Sequence, residues 1–143
     1  MLSTHEPAGW FIVQQECVVA PKLTSRQQVQ LHWLEAVPPR LDRAARIIEM
    51  MSTHHADDTQ LRSLRRQLDE MKAQAAGLGL GALADGFGYM GMLLRRTGGH
   101  EVKVRGLREL LAGVRVNFEG AFRAASTPEP DAEDDAQPRK VTP

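Results

Sequence analysis

One cysteine, Cys17, is all the thiol chemistry this chain of 143 residues possesses. A lone cysteine excludes an internal disulfide and fits a reducing compartment. Charge of one sign is also lacking. Eighteen Lys and Arg balance eighteen Asp and Glu, so the formal net charge is zero. No overall field therefore draws the chain to nucleic acid or to an anionic membrane surface. No apolar run approaches the ~20 residues that a bilayer-spanning helix needs. The first residues, "MLSTHEPAGWFIV", lack a basic stretch ahead of their apolar cluster and make a poor signal peptide. These absences read together as a cytoplasmic protein. With 42% hydrophobic and 25% charged residues, the chain has the make-up of one ordinary globular domain.

Three regions differ in texture. Residues 1–24 hold two short apolar clusters, Trp10–Val13 and Cys17–Val19, compatible with a strand pair, a docked arm or a short helix. Residues 25–125 follow a helical pattern. Residues 126–143, "STPEPDAEDDAQPRKVTP", are acidic and proline-rich with almost nothing apolar to bury, and read as a disordered tail.

The central region is punctuated helix by helix. Ser25 is a candidate N-cap for "RQQVQLHWLEAV". Pro38 and Pro39 end that short helix and suit the first turn of the next. The latter places Leu41, Ala44, Ala45, Ile48 and Met51 on one face. After the polar break "STHHADDT", apolar residues recur at Leu61, Leu64, Leu68, Met71, Ala75 and Leu78. Steps of three and four mark one stripe buried in a bundle. Gly77 or Gly79 supplies a left-handed helix end. A further stripe runs through Leu80, Leu83, Phe87, Met90 and Leu94 to a turn at Gly98 and Gly99. The last helix carries Val104, Leu107, Leu111, Val114, Phe118 and Phe122. No segment here alternates like a strand. Short loops between long amphipathic helices predict an all-α fold, an antiparallel up-down four-helix bundle with a short helix in front. Leu68, Met71, Leu78, Leu83, Phe87, Leu107, Leu111, Val114 and Phe118 form its predicted core.

The stretch "LDEMKAQAAGLGLGAL" resembles the signature of the histidine phosphotransfer (HPt) domain of bacterial two-component signalling, approximately A-H-x-L-K-G-x-A-x-x-L-G-L-x-x-L. The resemblance extends over about Gln27 to Ala125, with "HWLEAVPPRLDRAARIIEMM" similar to the entry helix and first bundle helix of that family. Met71 falls on the signature leucine, Lys72 on its lysine and Ala75 on its alanine. Leu78, Gly79 and Leu80 fall on "LGL", and Leu83 on the last leucine. Two positions depart. Asp69 stands where the phospho-accepting histidine belongs, and Ala73 where a glycine lets the partner approach.

The resemblance implies a degenerate, catalytically silent member. Histidine serves because imidazole is nucleophilic near neutral pH and its phosphoramidate is labile. An aspartyl phosphate needs Mg²⁺ and a lysine apparatus, and no acidic cluster accompanies Asp69. No enzyme activity, cofactor or metal is expected. The adjacent pair His54 and His55 cannot face one site from a helix and has no further ligand nearby. With Leu61, Leu64, Leu68 and Met71 inward, Arg62, Arg65, Arg66, Asp69, Lys72, Ala73 and Ala76 face outward. One reading is a solvated face laced by Arg65–Asp69 and Asp69–Lys72 ion pairs. The other is a docking surface for a receiver domain or histidine kinase, centred on Arg65, Arg66, Asp69, Lys72, Ala73 and Ala76. Rivals are phosphotransfer through His100 or His55, and a structural adaptor outside signalling. A further ambiguity is "ADGFGYMGM", where Gly86, Gly88 and Gly91 serve either close helix packing or a patch beside Tyr89 and Met92; Met90 and Met92 cannot both point inward.

Overall fold

The computed structural model describes residues 22–130, and every element among them is a helix. The apolar clusters at Trp10–Val13 and Cys17–Val19, and most of the acidic tail, lie outside the described residues. Helix α1 spans Ser25–Glu35, α2 Val37–Ser52, α3 Asp58–Gly77, α4 Gly81–Arg95 and α5 His100–Ser126.

Local chemistry explains where each helix begins. The cap of α1 is Thr24, one residue before the expected Ser25. The Thr24 hydroxyl accepts from the Gln27 amide at 3.0 Å, and the Gln27 side chain accepts from the Thr24 amide at 2.9 Å. This reciprocal box satisfies two amides that a helix start otherwise leaves open, and it needs Gln at the third position, which fixes the register. Asp57 and Gln60 repeat the device at α3. Pro38 and Pro39 occupy the first turn of α2, where a missing amide hydrogen matters least. After α3, Gly79 takes φ +78°, the left-handed conformation that a helix end favours for glycine.

The stripes meet in one core. Leu41, Ile48, Leu64, Leu68, Met71, Leu83, Phe87, Met90, Leu107 and Val114 are all buried in it. Met90 points in and Met92 out. Two expected core members, Leu78 and Phe118, are only half-buried, as is Ala45. Leu78 sits at the cap of α3, beyond its last full turn. Phe118 packs against the edge of the core beside Phe122, the two rings tilted at 42° with centroids 5.8 Å apart. Ile47, Ala84 and Ala125 are buried without having been part of the expected stripes.

Helix α1 is fastened by polar chemistry. Gln27 and Gln30 are buried. The Gln27 amide donates to the carbonyls of Ala124 and Thr127 at 3.0 and 2.7 Å. Gln30 donates to Leu78 at 2.8 Å. Both glutamines therefore serve carbonyls at helix ends, which have no partner within their own helix. The Trp33 indole is half-buried and donates to the Gln74 side-chain carbonyl at 2.9 Å.

Side-chain pairs index neighbouring helices. Between α2 and α5, Glu49 meets Arg108 and Asp42 meets Arg115. Between α4 and α5, Gly86 faces Val114 and Gly106 faces Leu93. A Cβ added at Gly86 falls 2.6 Å from Val114 Cγ2. Valine is stiff and this one is buried, so Gly86→Ala is expected to destabilise by about 1–3 kcal/mol in a thermal melt despite its better helix propensity.

Arg108 grips Glu49 with two bonds, of 2.8 and 2.7 Å. Those hydrogen bonds hold the Glu49 carboxyl below the usual carboxylate range. A depressed folded value means that the pair stabilises the fold above the unfolded value of Glu49, and that this contribution is lost as pH falls through the lower folded value. An NMR titration is expected to find the Glu49 midpoint below that of a free glutamate, and Arg108→Gln to return it upward. An unchanged midpoint in that variant speaks against the pairing.

Candidate partner-docking face

The outward face of α3 carries the residues singled out from the sequence. Arg66, Asp69, Lys72, Ala73 and Ala76 are exposed, and Arg65 is half-buried. Their shared face follows from the inward stripe of Leu64, Leu68, Met71 and Ala75, which fixes the rotation of the helix.

The electrostatics differ from the expected Arg65–Asp69 and Asp69–Lys72 pairs. Asp69 instead pairs with Arg95 at the end of α4, Oδ2 to Nη2 at 2.6 Å. The same guanidinium donates to the Gly91 carbonyl at 3.3 Å. The physical reason is room on α4. A Cβ at Gly91 would lie 3.2 Å from Arg95 Nη1 and 3.6 Å from Asp69 Oδ1, so glycine leaves the seat that the ion pair fills. One turn earlier a Cβ at Gly88 would lie 3.3 Å from Lys72 Cδ and Cε. The lysine side chain lies across that glycine, Nζ included at 3.5 Å, while the residue as a whole stays exposed. Of the two readings of "ADGFGYMGM", the glycines show close packing: Gly88 and Gly91 receive side chains from α3 and Gly86 packs on α5, while Tyr89 and Met92 beside them are exposed.

Arg95 is the site residue that sequence reasoning missed. Its signal was the spacing of four from Gly91, which lets a guanidinium reach back over the glycine. The partner in α3 is 26 residues away and no local pattern reveals it. Asp69 and Arg95 are each about half exposed, 52% and 49%, so their bond is a surface pair worth about 0–1 kcal/mol. Its consequence is chemical. The carboxylate is engaged by an arginine and stands in a face holding no imidazole, thiol or hydroxyl among the residues named above.

The histidines lie elsewhere. His54, at φ +62°, stacks on His100 with ring centroids 4.3 Å apart. His100 Nε2 donates to the Met51 carbonyl at 2.7 Å, and His55 Nδ1 is 2.9 Å from the Thr53 hydroxyl. These positions belong to the turns that end α2 and begin α5, whereas Asp69 lies in the middle of α3. His32 is exposed on α1. Among the described residues no group of three or more His, Cys, Asp or Glu is placed to hold a metal ion. No described helix is long and apolar enough to cross a membrane.

Comparison with known proteins returned no match among family models, curated proteins or solved structures.

Proposed function

We propose that this chain is a catalytically silent, HPt-like binding module that docks a two-component signalling partner through the α3–α4 face without carrying phosphate. The paired contacts support an antiparallel up-down order for the four longer helices. Residue numbers rise on one helix as they fall on its neighbour, for Glu49–Arg108 and Asp42–Arg115 and again for Gly86–Val114 and Leu93–Gly106. The observation that carries the functional reading is the occupation of the signature position. Asp69 replaces the reactive imidazole and is held by Arg95, while Lys72, Ala73 and Ala76 around it remain exposed. What persists is a recognition surface, basic at its rim and smooth along its alanines. What has gone is the nucleophile. The partner chemistry that fits is an acidic pocket, as in a receiver domain, or the corresponding surface of a histidine kinase; the setting is a bacterial cytoplasm. No cofactor, metal, nucleic acid or membrane enters this reading.

The purified chain is expected to acquire no acid-labile phosphate from an active histidine kinase or a phosphorylated receiver. Radiolabel on the intact chain, removed by acid and by His100→Ala or His55→Ala, would establish phosphotransfer through another histidine instead. Binding is separable from transfer. A complex with a receiver or kinase, seen in pulldown without label transfer, supports the silent module. Capture of only non-signalling partners supports the second reading, a structural adaptor, which the exposed Tyr89 and Met92 favour.

A further inference from the structure

On a different side of α4 from Lys72 and Asp69, an open groove runs between α4 and α5. Its wider part has a volume of about 540 Å³ and is lined by Leu80, Ala82, Leu83, Val116, Gly120 and Ala121. A second part, of about 310 Å³, shares Ala82 and Asn117 with the first and continues past Tyr89 and Gly113. Val116 is 69% exposed and Tyr89 56%, large apolar surface for a face that no described residue covers. Gly113 and Gly120 sit inside α5, where glycine is about 1 kcal/mol less favourable than alanine. A Cβ at either meets nothing within 4 Å, so no described residue uses the room they leave.

The start of the described chain lies near this groove. The described residues begin at Lys22, and the first turn of α1 is pinned to the end of α5. Gln27 holds the carbonyls of Ala124 and Thr127, and Arg26 pairs with Glu129 at 3.5 Å. Gln30 holds Leu78, two residues from the Leu80 that lines the groove. The described chain thus begins close to the mouth of the groove, where Arg123 lies, with 21 residues of sequence preceding it. They contain Trp10, Phe11, Ile12 and Val13, and no Lys or Arg. From Lys22 back to Trp10 an extended chain reaches up to ~40 Å. Along α5 the groove from Arg123 to Glu109 spans only ~21 Å. Its whole length is in reach of the apolar cluster, and linkage to the same chain gives that cluster a high effective concentration over any free partner.

We propose that the Trp10–Val13 segment of the same chain docks in the α4–α5 groove, over Val116 and the glycines of α5. Helix α4 is then covered on the α5 side by the chain itself, and the α3–α4 face is left free.

Cys17, the one thiol, is a native attachment point for a nitroxide in the full chain. Spectra of the isotope-labelled protein are expected to show the amides of Ala82, Gly113, Val116 and Gly120 broadened several-fold relative to the reduced label. Those of Arg66 and Lys72 are expected to keep their intensity. The same measurement from Gln14→Cys in a Cys17→Ser chain guards against a label that itself displaces the segment. Gly120→Glu displaces no packing atom and places a charge in the groove, so it should abolish the broadening at unchanged helicity. Trp10→Ser with Phe11→Ser should do likewise. Absence of broadening from both label positions overturns the proposal, as does broadening that survives Gly120→Glu. Broadening that appears only when nitroxide-bearing and isotope-labelled chains are mixed overturns it in favour of a second copy as the occupant.

Discussion

Phe87→Ala is expected to lower the unfolding free energy by about 3–5 kcal/mol, read as a fall in denaturant midpoint at unchanged slope. Phe87 is fully buried, at the centre of the α4 stripe, and α4 is packed on both α3 and α5. Removing its ring deletes packing in the core that α4 shares with α3 and α5 and leaves a cavity that close-packed neighbours fill only partly. Leu68→Ala, also fully buried, is expected to cost about 2–5 kcal/mol. The ranking is the sharper test. Leu78 and Phe118 are half-buried, so Leu78→Ala and Phe118→Ala should each cost clearly less than their buried counterparts. A Phe118→Ala loss equal to that of Phe87→Ala would show Phe118 to be as deeply packed as Phe87, against its half-burial.

The difference between Phe87 and Phe118 also marks what the sequence could reveal. Both lie on stripes with steps of three and four, and periodicity places a residue on a face without saying how far along the helix its neighbours reach. α5 has 27 residues and α4 only 15, so the α5 stripe runs beyond α4 and each of its positions is covered to a different depth by whichever helix lies opposite. The four longer helices, their breaks and the inward positions Leu64, Leu68 and Met71 were legible because each rests on local spacing. Thr24 was missed as a cap because the deciding partner was Gln27, three residues on, rather than the serine beside it. Gln27 and Gln30 were missed as buried residues because their partners are carbonyls 48 to 100 positions away. The site divides in the same way. Asp69, Lys72, Ala73 and Ala76 shared a face that could be read from one helix. The pairing of Asp69 with Arg95 required a second helix brought close by Gly88 and Gly91, and tertiary proximity has no local signature.

The second large effect is expected at the α3 face. Ala73→Glu should weaken binding to a receiver-type partner by about thirtyfold or more, the ~2 kcal/mol scale of an interface hot spot. Ala73 is exposed, so helicity and melting temperature should stay unchanged while a longer, charged side chain stands where the proposed docking brings the partner close. Ala76→Glu should behave alike. Lys72→Glu should act differently, slowing association and flattening its salt dependence, since rim charges steer encounter more than they hold the complex. Asp69→His addresses the missing chemistry. It frees Arg95 from its ion pair and places an imidazole beside Lys72, the arrangement that the HPt signature prescribes. Acid-labile phosphate on Asp69→His but not on the parent chain would show that the face still meets a phosphorylated partner in productive register. If Asp69→His accepts no phosphate but Ala73→Glu abolishes binding, the face recognises its partner in a pose unsuited to transfer. If Ala73→Glu and Ala76→Glu are both neutral and amide shifts on partner binding cluster around Tyr89 and Met92, the α3 face is not the working surface and the adaptor reading replaces the silent signalling module.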